Sequence, residues 1–419
     1  MTVAIYLDHA ATTPMLPEVL AAYTAALTLV GNPSSIHSQG QQAKRMLEEA
    51  RESVAASVGA DSVEVTFTSG GTESINLALK GLYWARNPSG SSDAGGSSLS
   101  RPPTRNRILS TRAEHHATID ALEWLAAHEG AIIEWMPVDQ YGRIDLDHLA
   151  AALAPDVALV TTLWANNEVG TIQPVSEIVA LAAAHDVPVH CDAVSAYGYL
   201  PIHFSASGLA ALSISAHKVG GPVGIGALVI ARTATVTPLI HGGNQQRARS
   251  GTQDAAGAVA FGVAADRAAL PVRATQADRP TQADRARRAL PDDVTALRDH
   301  LIAAVLAAVP DAILRGDPVD RLPGNAHFTF PGCEGDSLLF LLDVAGFSVS
   351  TGSACQAGVP EASHVLLAMG LDEPTARGAL RITLGHGSTA ADVDAFVAAL
   401  PAAVERARSA GYADRVPTL

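Results

Sequence analysis

The sequence predicts an α/β fold, in which a mostly parallel sheet is flanked by helices, followed by a smaller α+β domain. From Val63 to about residue 230, short apolar runs alternate with amphipathic stretches, as strands and helices do along a parallel sheet. After about residue 290, Ala-rich helical stretches and strand-like segments follow without that regular alternation. A chain of 419 residues is too long for one ordinary core, so we expect two domains.

The predicted elements follow in order along the chain. Helix 17–29 begins with Pro17 at the first-turn position that proline favours, and helix 39–58 follows. The next part is predicted to contain strands 63–68, 108–110, 131–135, 157–163, 187–190, 212–215 and 226–230, with helices from Glu73 and at 117–128, 145–153 and 175–185. The C-terminal part is predicted to contain helices 295–308, 335–345, 361–369 and 389–407, with strands 325–330, 347–350 and 379–384.

Two polar tracts interrupt this pattern. Residues 87–106 are rich in Gly, Ser and Pro and are predicted to be a flexible surface insertion. Residues 273–285 repeat Thr-Gln-Ala-Asp-Arg and are predicted to mark an expanded domain junction. Neither tract suggests chemistry, and the role of each is left open.

Composition limits the partners and the compartment. The chain has 28 Lys+Arg against 42 Asp+Glu and no basic run, so we expect no direct binding of nucleic acid. Its cysteines, Cys191, Cys333 and Cys355, form no Cys-x-x-Cys pair, which favours a reducing cytoplasm over a disulfide framework. No signal peptide or membrane-length apolar stretch is predicted, and no stable metal site is suggested.

A lysine at the end of a buried strand is the most informative single residue. The apolar run 212–215 leads into Ala216, His217 and Lys218, and a glycine- and proline-rich bend precedes the next strand at Gly226. Because desolvating an ammonium is costly, Lys218 either turns to solvent or is bonded to something that removes its charge. An imine to an aldehyde cofactor would do so.

A candidate phosphate-binding turn lies between strand 63–68 and the following helix. Ser69-Gly70-Gly71-Thr72 forms a glycine turn, and the free amides and dipole of a helix N-terminus attract anions. An ordinary tight turn explains these four residues equally well.

Polar clusters follow five of the predicted strands. They are Ser69 to Thr72, Glu114 to His116, Asn166 to Glu168, Cys191-Asp192, and Ser215 to Lys218. Because ligands collect beyond the carboxyl ends of parallel strands, the clusters predict one shared site.

The residue types in this shared site fit pyridoxal phosphate. Lys218 would form the imine, Asp192 would keep a proton on the pyridine nitrogen, and His115 would lie on the ring face. The remaining residues would surround the ring oxygen and the phosphate: Asn167 near the oxygen, and Gly71, Thr72, Ser215 and His217 at the phosphate.

Motifs in the same order along most of the chain resemble the class V aminotransferase family of fold-type I pyridoxal phosphate enzymes. These motifs are Tyr-Leu-Asp-His-Ala-Ala-Thr-Thr-Pro, Gly-Asn-Pro-Ser-Ser, Phe-Thr-Ser-Gly-Gly-Thr-Glu-Ser, Glu-His-His, Asn-Asn-Glu-Val-Gly, His-Cys-Asp-Ala, Ser-Ala-His-Lys, Arg-Ser-Gly-Thr, Ser-Thr-Gly-Ser-Ala-Cys and Arg-Ile-Thr-Leu-Gly. Within that family they resemble the cysteine desulfurases of the long-loop group. The resemblance implies a seven-stranded sheet, a large cofactor-binding domain at 15–265, and a small domain made of 1–14 and 266–419.

The resemblance also implies an activity. Lys218 is then the Schiff-base lysine, and Cys355, in a predicted mobile loop, takes sulfur from L-cysteine as a persulfide while L-alanine leaves. His115 or another base near the ring would remove the proton from a thiol. The persulfide would go to an acceptor protein, either a scaffold for iron–sulfur cluster assembly or a tRNA-thiolation enzyme. The alternatives are a selenocysteine lyase or another β-eliminating enzyme, and a catalytically silent partner-binding homologue.

Further roles follow from the resemblance. Arg381 matches the clamp for the substrate carboxylate, and Asn167 and Asn32 match substrate-binding positions. Thr252 matches a phosphate contact supplied by the second subunit of a homodimer. Three further residues, His9, Asn32 and His37, also match the family's motifs. A structural role in holding the N-terminal segment explains them better than direct catalysis.

Three departures from the family pattern qualify these roles. Ser195 stands where the family has a glutamine, so its hydroxyl reaches less far toward the cofactor. Ala216 replaces a glycine, which we expect to be tolerated. The segment 241–249 is one residue shorter than usual, which makes the Thr252 contact less secure.

Other residues of the same types have simpler explanations. His116 is expected to be a surface or supporting histidine, Cys191 a small buried hydrophobe, and Cys333 a loop thiol without a catalytic role.

Overall fold

The computed structural model describes residues 4–87, 105–276, 293–352 and 362–409. Most of the 87–106 insertion, the repeat beyond residue 276, and Cys355 lie outside these ranges. None of the helices within these ranges is both long enough and apolar enough to cross a membrane.

The larger part of the chain alternates strands and helices. The strands are β1 (Ile5–Tyr6), β2 (Val65–Thr68), β3 (Arg107–Thr111), β4 (Ile132–Met136), β5 (Val157–Leu163), β6 (Val189–Asp192), β7 (Ala211–Ser215) and β8 (Gly226–Ile230). The helices are α1 (Pro17–Leu27), α2 (Ser38–Ser57), α3 (Gly71–Arg86), α4 (His116–Glu129), α5 (Leu146–Ala152), α6 (Val175–Ala183), α7 (Phe204–Ser207) and α8 (Ala255–Gln276).

The central sheet has seven strands within the described ranges, in the order β2-β8-β7-β6-β5-β3-β4. Neighbours from β7 to β4 run parallel, and β8 runs antiparallel to both β7 and β2. The carboxyl ends of β2, β3, β5, β6 and β7 therefore meet at one edge. The predicted α/β fold with a mostly parallel sheet is confirmed.

Both faces of this sheet are covered, which explains its continuous apolar strands. All seven residues of β5 are buried, as expected for a strand with helices on each side. On one face Ile75, Leu79 and Leu122 from α3 and α4 form a core with β8. On the other face Val54 and Phe261 from α2 and α8 join a larger core.

The C-terminal part forms a second core around small sheets. Its elements are α9 (Asp293–Ala308), β9 (Ile313–Arg315), β10 (Asn325–Thr329), α10 (Gly335–Val344), β11 (Phe347–Ser348), α11 (His364–Ala368), α12 (Glu373–Arg377), β12 (Ala379–Thr383) and α13 (Ala390–Ser409). Strands β9, β10 and β12 form an antiparallel sheet, and β1 pairs in parallel with β11. The core of this part contains Leu301, Phe328 and Phe396.

The first strand thus belongs with the C-terminal part. The division into 15–265 and 1–14 plus 266–419 stays a prediction, and its boundary falls inside α8.

Local differences from the predicted elements have physical causes. The strand predicted at 187–190 begins instead at Val189, because Pro188 has no amide hydrogen for the sheet ladder. Strand β9 and helix α12 are only three and five residues long, too short for a periodic pattern to indicate them.

Candidate active site

The five polar clusters surround one cavity at the carboxyl edge of the central sheet. Its volume is about 390 Å³, within the usual range for small-molecule sites. Nine of the predicted site residues line it: Gly71, Thr72, His115, Asn167, Asp192, Ser195, His217, Lys218 and Arg381. Ser350 and Gly352, which come shortly before Cys355 in the chain, line it as well. The shared site that the strand ends predicted is therefore present.

Lys218 lies in a short 3₁₀ turn directly after β7. Its Nζ donates to the carbonyl oxygen of Ala11 at 2.9 Å and also to that of Ala10. Burial, together with the positive charge of Arg381, lowers the pKa of Lys218 to about 8, although the charges of Asp8 and Asp192 oppose this shift. Its amine is therefore neutral in a useful fraction of molecules near neutral pH, as a nucleophile toward an aldehyde requires.

Asp192 ends β6 and is only 3% exposed. Its Oδ1 accepts a hydrogen bond from the amide of Val194 at 2.9 Å. Burial raises the pKa of Asp192 to about 6, although the Val194 hydrogen bond and Lys218 oppose this shift. A buried carboxylate that faces an open cavity is suited to hold a protonated ring nitrogen.

The turn before α3 forms an uncapped helix N-terminus beside the cavity. Gly70 precedes the helix at φ 152°, no side chain caps it, and a Cβ on Gly71 would lie 2.8 Å from Val194 Cγ2. Glycine at these positions thus leaves backbone amides accessible to an anion. Ser215 Oγ is buried nearby without a hydrogen-bond partner among the described residues.

His115 caps α4 through its side chain. Its Nδ1 accepts from the amide of Ala117 at 3.1 Å, so the proton of the neutral ring lies on Nε2. Desolvation lowers the pKa of His115 to about 4, with Lys218 as the next contribution. The ring is exposed to the cavity, where it can contact a bound group.

Arg381 comes from β12 on the opposite side of the cavity. Its Nη2 donates to Asp8 Oδ1 at 2.8 Å and its Nη1 to the carbonyl oxygen of Asn167 at 2.9 Å. Its buried Nε has no acceptor among the described residues. Sequence reasoning missed Asp8, although it lies within the first motif quoted above.

Some predicted residues are not brought to the cavity, and one that lines it also contacts the N-terminal segment. Asn32 is exposed, and its side chain accepts from the amide of Ser34 at 2.9 Å. Thr252 is exposed and is not among the lining residues. His217 lines the cavity but its Nδ1 lies 3.3 Å from Thr12 Oγ1, in the N-terminal segment. Cys355 lies outside the described residues, so its role stays a prediction.

The other two cysteines lie in cores. Cys191 is buried in β6, as predicted. Cys333 is 3% exposed in the C-terminal core, and burial raises its pKa.

The cavity fits pyridoxal phosphate. It combines an amine of lowered pKa, a buried carboxylate, an uncapped helix N-terminus and an unpartnered buried hydroxyl. With a doubly covered parallel sheet, these features define a fold-type I enzyme of this cofactor class.

Comparison with known proteins assigns the chain to a family. A model of the family "Aminotransferase class-V" matches residues 5–396, and the chain belongs to this family. It is 50% identical over 413 residues to the IscS-like cysteine desulfurase of Mycobacterium tuberculosis, with 97% of this chain and 98% of that protein covered. It is 38% identical over 408 residues to the cysteine desulfurase NifS of Azotobacter vinelandii, with 97% and 94% covered.

Comparison with a solved structure supports the same family. A NifS-like protein superposes with a TM-score of 0.82 at 31% identity, covering 96% of this chain and all of that one. The chain is therefore a pyridoxal phosphate-dependent enzyme of the cysteine desulfurase type.

Proposed function

We propose that this protein removes sulfur from L-cysteine, giving L-alanine and a persulfide on Cys355 that passes to an acceptor protein. One observation carries the proposal: Lys218, Asp192, His115 and Arg381 line the same cavity as Gly352, just before Cys355 in the chain. The cavity thus combines groups for the cofactor with a cation for a substrate carboxylate.

The cofactor's position follows from the chemistry of these residues. Lys218 would hold it covalently, Asp192 would pair with its ring nitrogen, and Ser195 would lie near the ring. Its phosphate would occupy the N-terminus of α3, with Gly71, Thr72, Ser215 and His217. When bound, the group supplies an electron-withdrawing ring that weakens the bonds at the substrate carbon attached to it.

The substrate is positioned by Arg381 and Asn167. The planar guanidinium of Arg381 would pair with the carboxylate of L-cysteine through two parallel hydrogen bonds. Arg381 is 4% exposed, so the pair would form in a desolvated place where it is strong.

His115 and Lys218 would move protons. The charge of Lys218 lowers the pKa of His115, so His115 becomes a better base once that charge is removed by covalent attachment. Lys218, when released, is an amine close to the same atoms. The Cys355 thiolate would then attack the substrate sulfur: the new S–S bond forms, the C–S bond breaks, and the carbon takes protons to become alanine.

We also infer a homodimer in the cytoplasm. Large apolar side chains are exposed around α1 and the loop after it, with Val30 at 86% and Ile36 at 92% exposure. A second copy would cover this surface and would bring its Thr252 to the phosphate. The acceptor would be an iron–sulfur scaffold or a tRNA-thiolation enzyme.

Mass spectrometry of Cys355 after incubation with L-cysteine tests the proposed function. We expect the added mass of sulfur on Cys355 and its loss when an acceptor is supplied. Cys355→Ala should keep the cofactor's absorbance but lose persulfide and sulfide formation. The matched variant Cys333→Ala should keep the absorbance, the persulfide and the sulfide formation. Sulfide release by Cys355→Ala at the wild-type rate would instead favour a β-eliminating enzyme such as a selenocysteine lyase. Absence of the cofactor's absorbance from wild-type protein would favour the silent homologue.

A mixing experiment tests the dimer. Thr252→Ala and Lys218→Ala subunits are each expected to be impaired, but a mixed dimer would contain one site with both native residues. Activity should therefore return on mixing. No recovery in verified mixed dimers would contradict the cross-subunit role of Thr252.

A further inference from the structure

The N-terminal segment contacts both cationic groups of the cavity. Lys218 Nζ donates to the carbonyl oxygens of Ala10 and Ala11, and Arg381 Nη2 donates to Asp8 Oδ1 at 2.8 Å. One four-residue stretch therefore touches the proposed cofactor lysine and the proposed substrate clamp. Only at Asp8 does it bring a charged side chain.

Backbone hydrogen bonds hold Asp8 in place. Tyr6 Oη and the amide of Ala11 donate to its carbonyl oxygen at 2.9 and 3.0 Å. On either side of it, the amide of Thr383 donates to Leu7 at 2.8 Å and the amide of Ala10 to Thr383 Oγ1 at 2.9 Å. Since Thr383 is two residues from Arg381 on β12, Asp8 is tied to the strand that carries its partner.

Asp8 contacts the Arg381 guanidinium from outside the cavity, and this position indicates its role. Arg381 lines the cavity and Asp8 does not, so the carboxylate contacts the guanidinium from outside the space that a ligand would occupy. The carbonyl oxygen of Asn167 binds Nη1, while the buried Nε keeps a hydrogen without an acceptor among the described residues. Nη1 and Nη2 each carry a second hydrogen, with which they can bind a ligand in the cavity that Arg381 lines.

Bidentate pairing needs a guanidinium in a fixed plane. Two hydrogen bonds fix that plane here, one to the backbone at Asn167 and one to the carboxylate of Asp8. Both bonds are charge-assisted, because the guanidinium is a cation, but the Asp8 bond joins two opposite charges and is therefore the stronger. It also offsets the repulsion between Arg381 and Lys218 across the cavity.

We propose that Asp8 is a positioning residue that orients the Arg381 guanidinium to bind the substrate carboxylate. This inference rests on the proposed role of Arg381 as the carboxylate clamp. A competing role, in which Asp8 occupies Arg381 until the substrate displaces it, fits less well, because Asp8 is held outside the cavity by its own backbone hydrogen bonds.

Asp8→Asn in the cofactor-loaded enzyme tests the inference. The change keeps the shape but removes the charge, and we expect KM for L-cysteine to rise about tenfold while kcat changes little. Binding of L-alanine, measured through the cofactor's absorbance, should weaken by a similar factor, since alanine has the carboxylate but no thiol. Asp8→Glu should restore part of the affinity. The control Asp311→Asn breaks an exposed ion pair with Arg408 and should leave both values unchanged.

Combination with Arg381→Lys separates the possible failures. In that background Asp8→Asn should have little further effect on alanine binding, because the planar guanidinium that Asp8 orients is absent. If Arg381→Lys alone leaves binding unchanged, the clamp role is wrong. If Arg381→Lys weakens binding but Asp8→Asn leaves it unchanged, strengthens it, or weakens it equally in both backgrounds, the inference about Asp8 is overturned.

Discussion

The two sides of the cavity are built in different ways. On one side, Asp192 ends β6 and Lys218 follows the adjacent parallel strand β7, and the register of the two strands places Asp192 opposite Ser213. On the other side, Arg381 lies within an antiparallel strand of the C-terminal sheet, and its partner Asp8 is 373 residues away in the chain. The first side is positioned by strand ends, and the second depends on an ion pair.

This difference predicts how each side responds to change. Strand register and burial position Asp192 and Lys218, so their variants should alter chemistry with little effect on geometry. The orientation of Arg381 depends on a charge, so it should respond to loss of that charge even when the shape is kept. Variants on each side test this contrast.

Lys218→Ala should have the largest effect. It removes the only proposed covalent attachment, and we expect activity to fall at least about a thousandfold. The absorbance of the covalently attached cofactor should disappear, while the urea midpoint of unfolding stays near that of the wild type. The control Lys80→Ala removes a lysine that contacts Trp124 outside the cavity and should keep the absorbance. Persistence of the attached-cofactor spectrum in Lys218→Ala would mean that another amine holds it.

Asp192→Asn should have the next largest effect. An amide cannot stabilise a positive ring nitrogen as a carboxylate does, so we expect kcat to fall about a hundredfold. Titration with the cofactor should reveal weaker binding, measured by absorbance or fluorescence. Asp320→Asn, in an exposed ion pair with Arg143, is the control. A kcat within a few-fold of the wild type would remove Asp192 from the proposed chemistry.

The same contrast explains what could be predicted from the sequence. Apolar runs such as β5 identify buried strands, and parallel strands bring their ends together, so the cluster around Asp192 and Lys218 was predictable. The Asp8–Arg381 contact leaves no local pattern, because it joins the two ends of the chain. The pairing of β1 with β11, which brings Asp8 there, involves only two residues of each strand.

Other parts of the fold lacked a periodic signal. Helix α8 is rich in small residues and contributes Phe261 to the core, but its Ala and Gly residues form no distinct apolar stripe. The buried state of Glu114 was also hidden, because its environment comes from β3, β5 and Asp192 together.

The pH dependence of cofactor attachment measures the desolvation of Lys218. Its neutral amine is the reactive form, and its pKa is lowered from 10.5 to about 8. The rate of attachment to cofactor-free protein should therefore rise with pH and level off above about pH 8. In Asp8→Asn the midpoint should fall, because the negative charge that raises this pKa is gone. Stopped-flow absorbance gives both profiles, and a wild-type midpoint near 10 would contradict the desolvated environment.

Glu114→Gln should have the smallest effect, confined to stability. Burial raises the pKa of Glu114 well above its ordinary value of 4.5, and the nearby charge of Asp192 raises it further, while Oε1 accepts from the amide of Leu163 at 3.1 Å. The folded protein thus retains a proton that the unfolded chain releases, so wild-type stability falls as pH rises above about 4.5. Glutamine is neutral throughout. In urea unfolding from pH 5 to 8, the stability of Glu114→Gln should therefore increase relative to that of the wild type as the pH rises. The stability of the exposed control Glu123→Gln should change with pH in parallel with that of the wild type. A parallel stability curve for Glu114→Gln would mean that water reaches this carboxyl. The strand-end side of the cavity would then be less desolvated than its burial indicates.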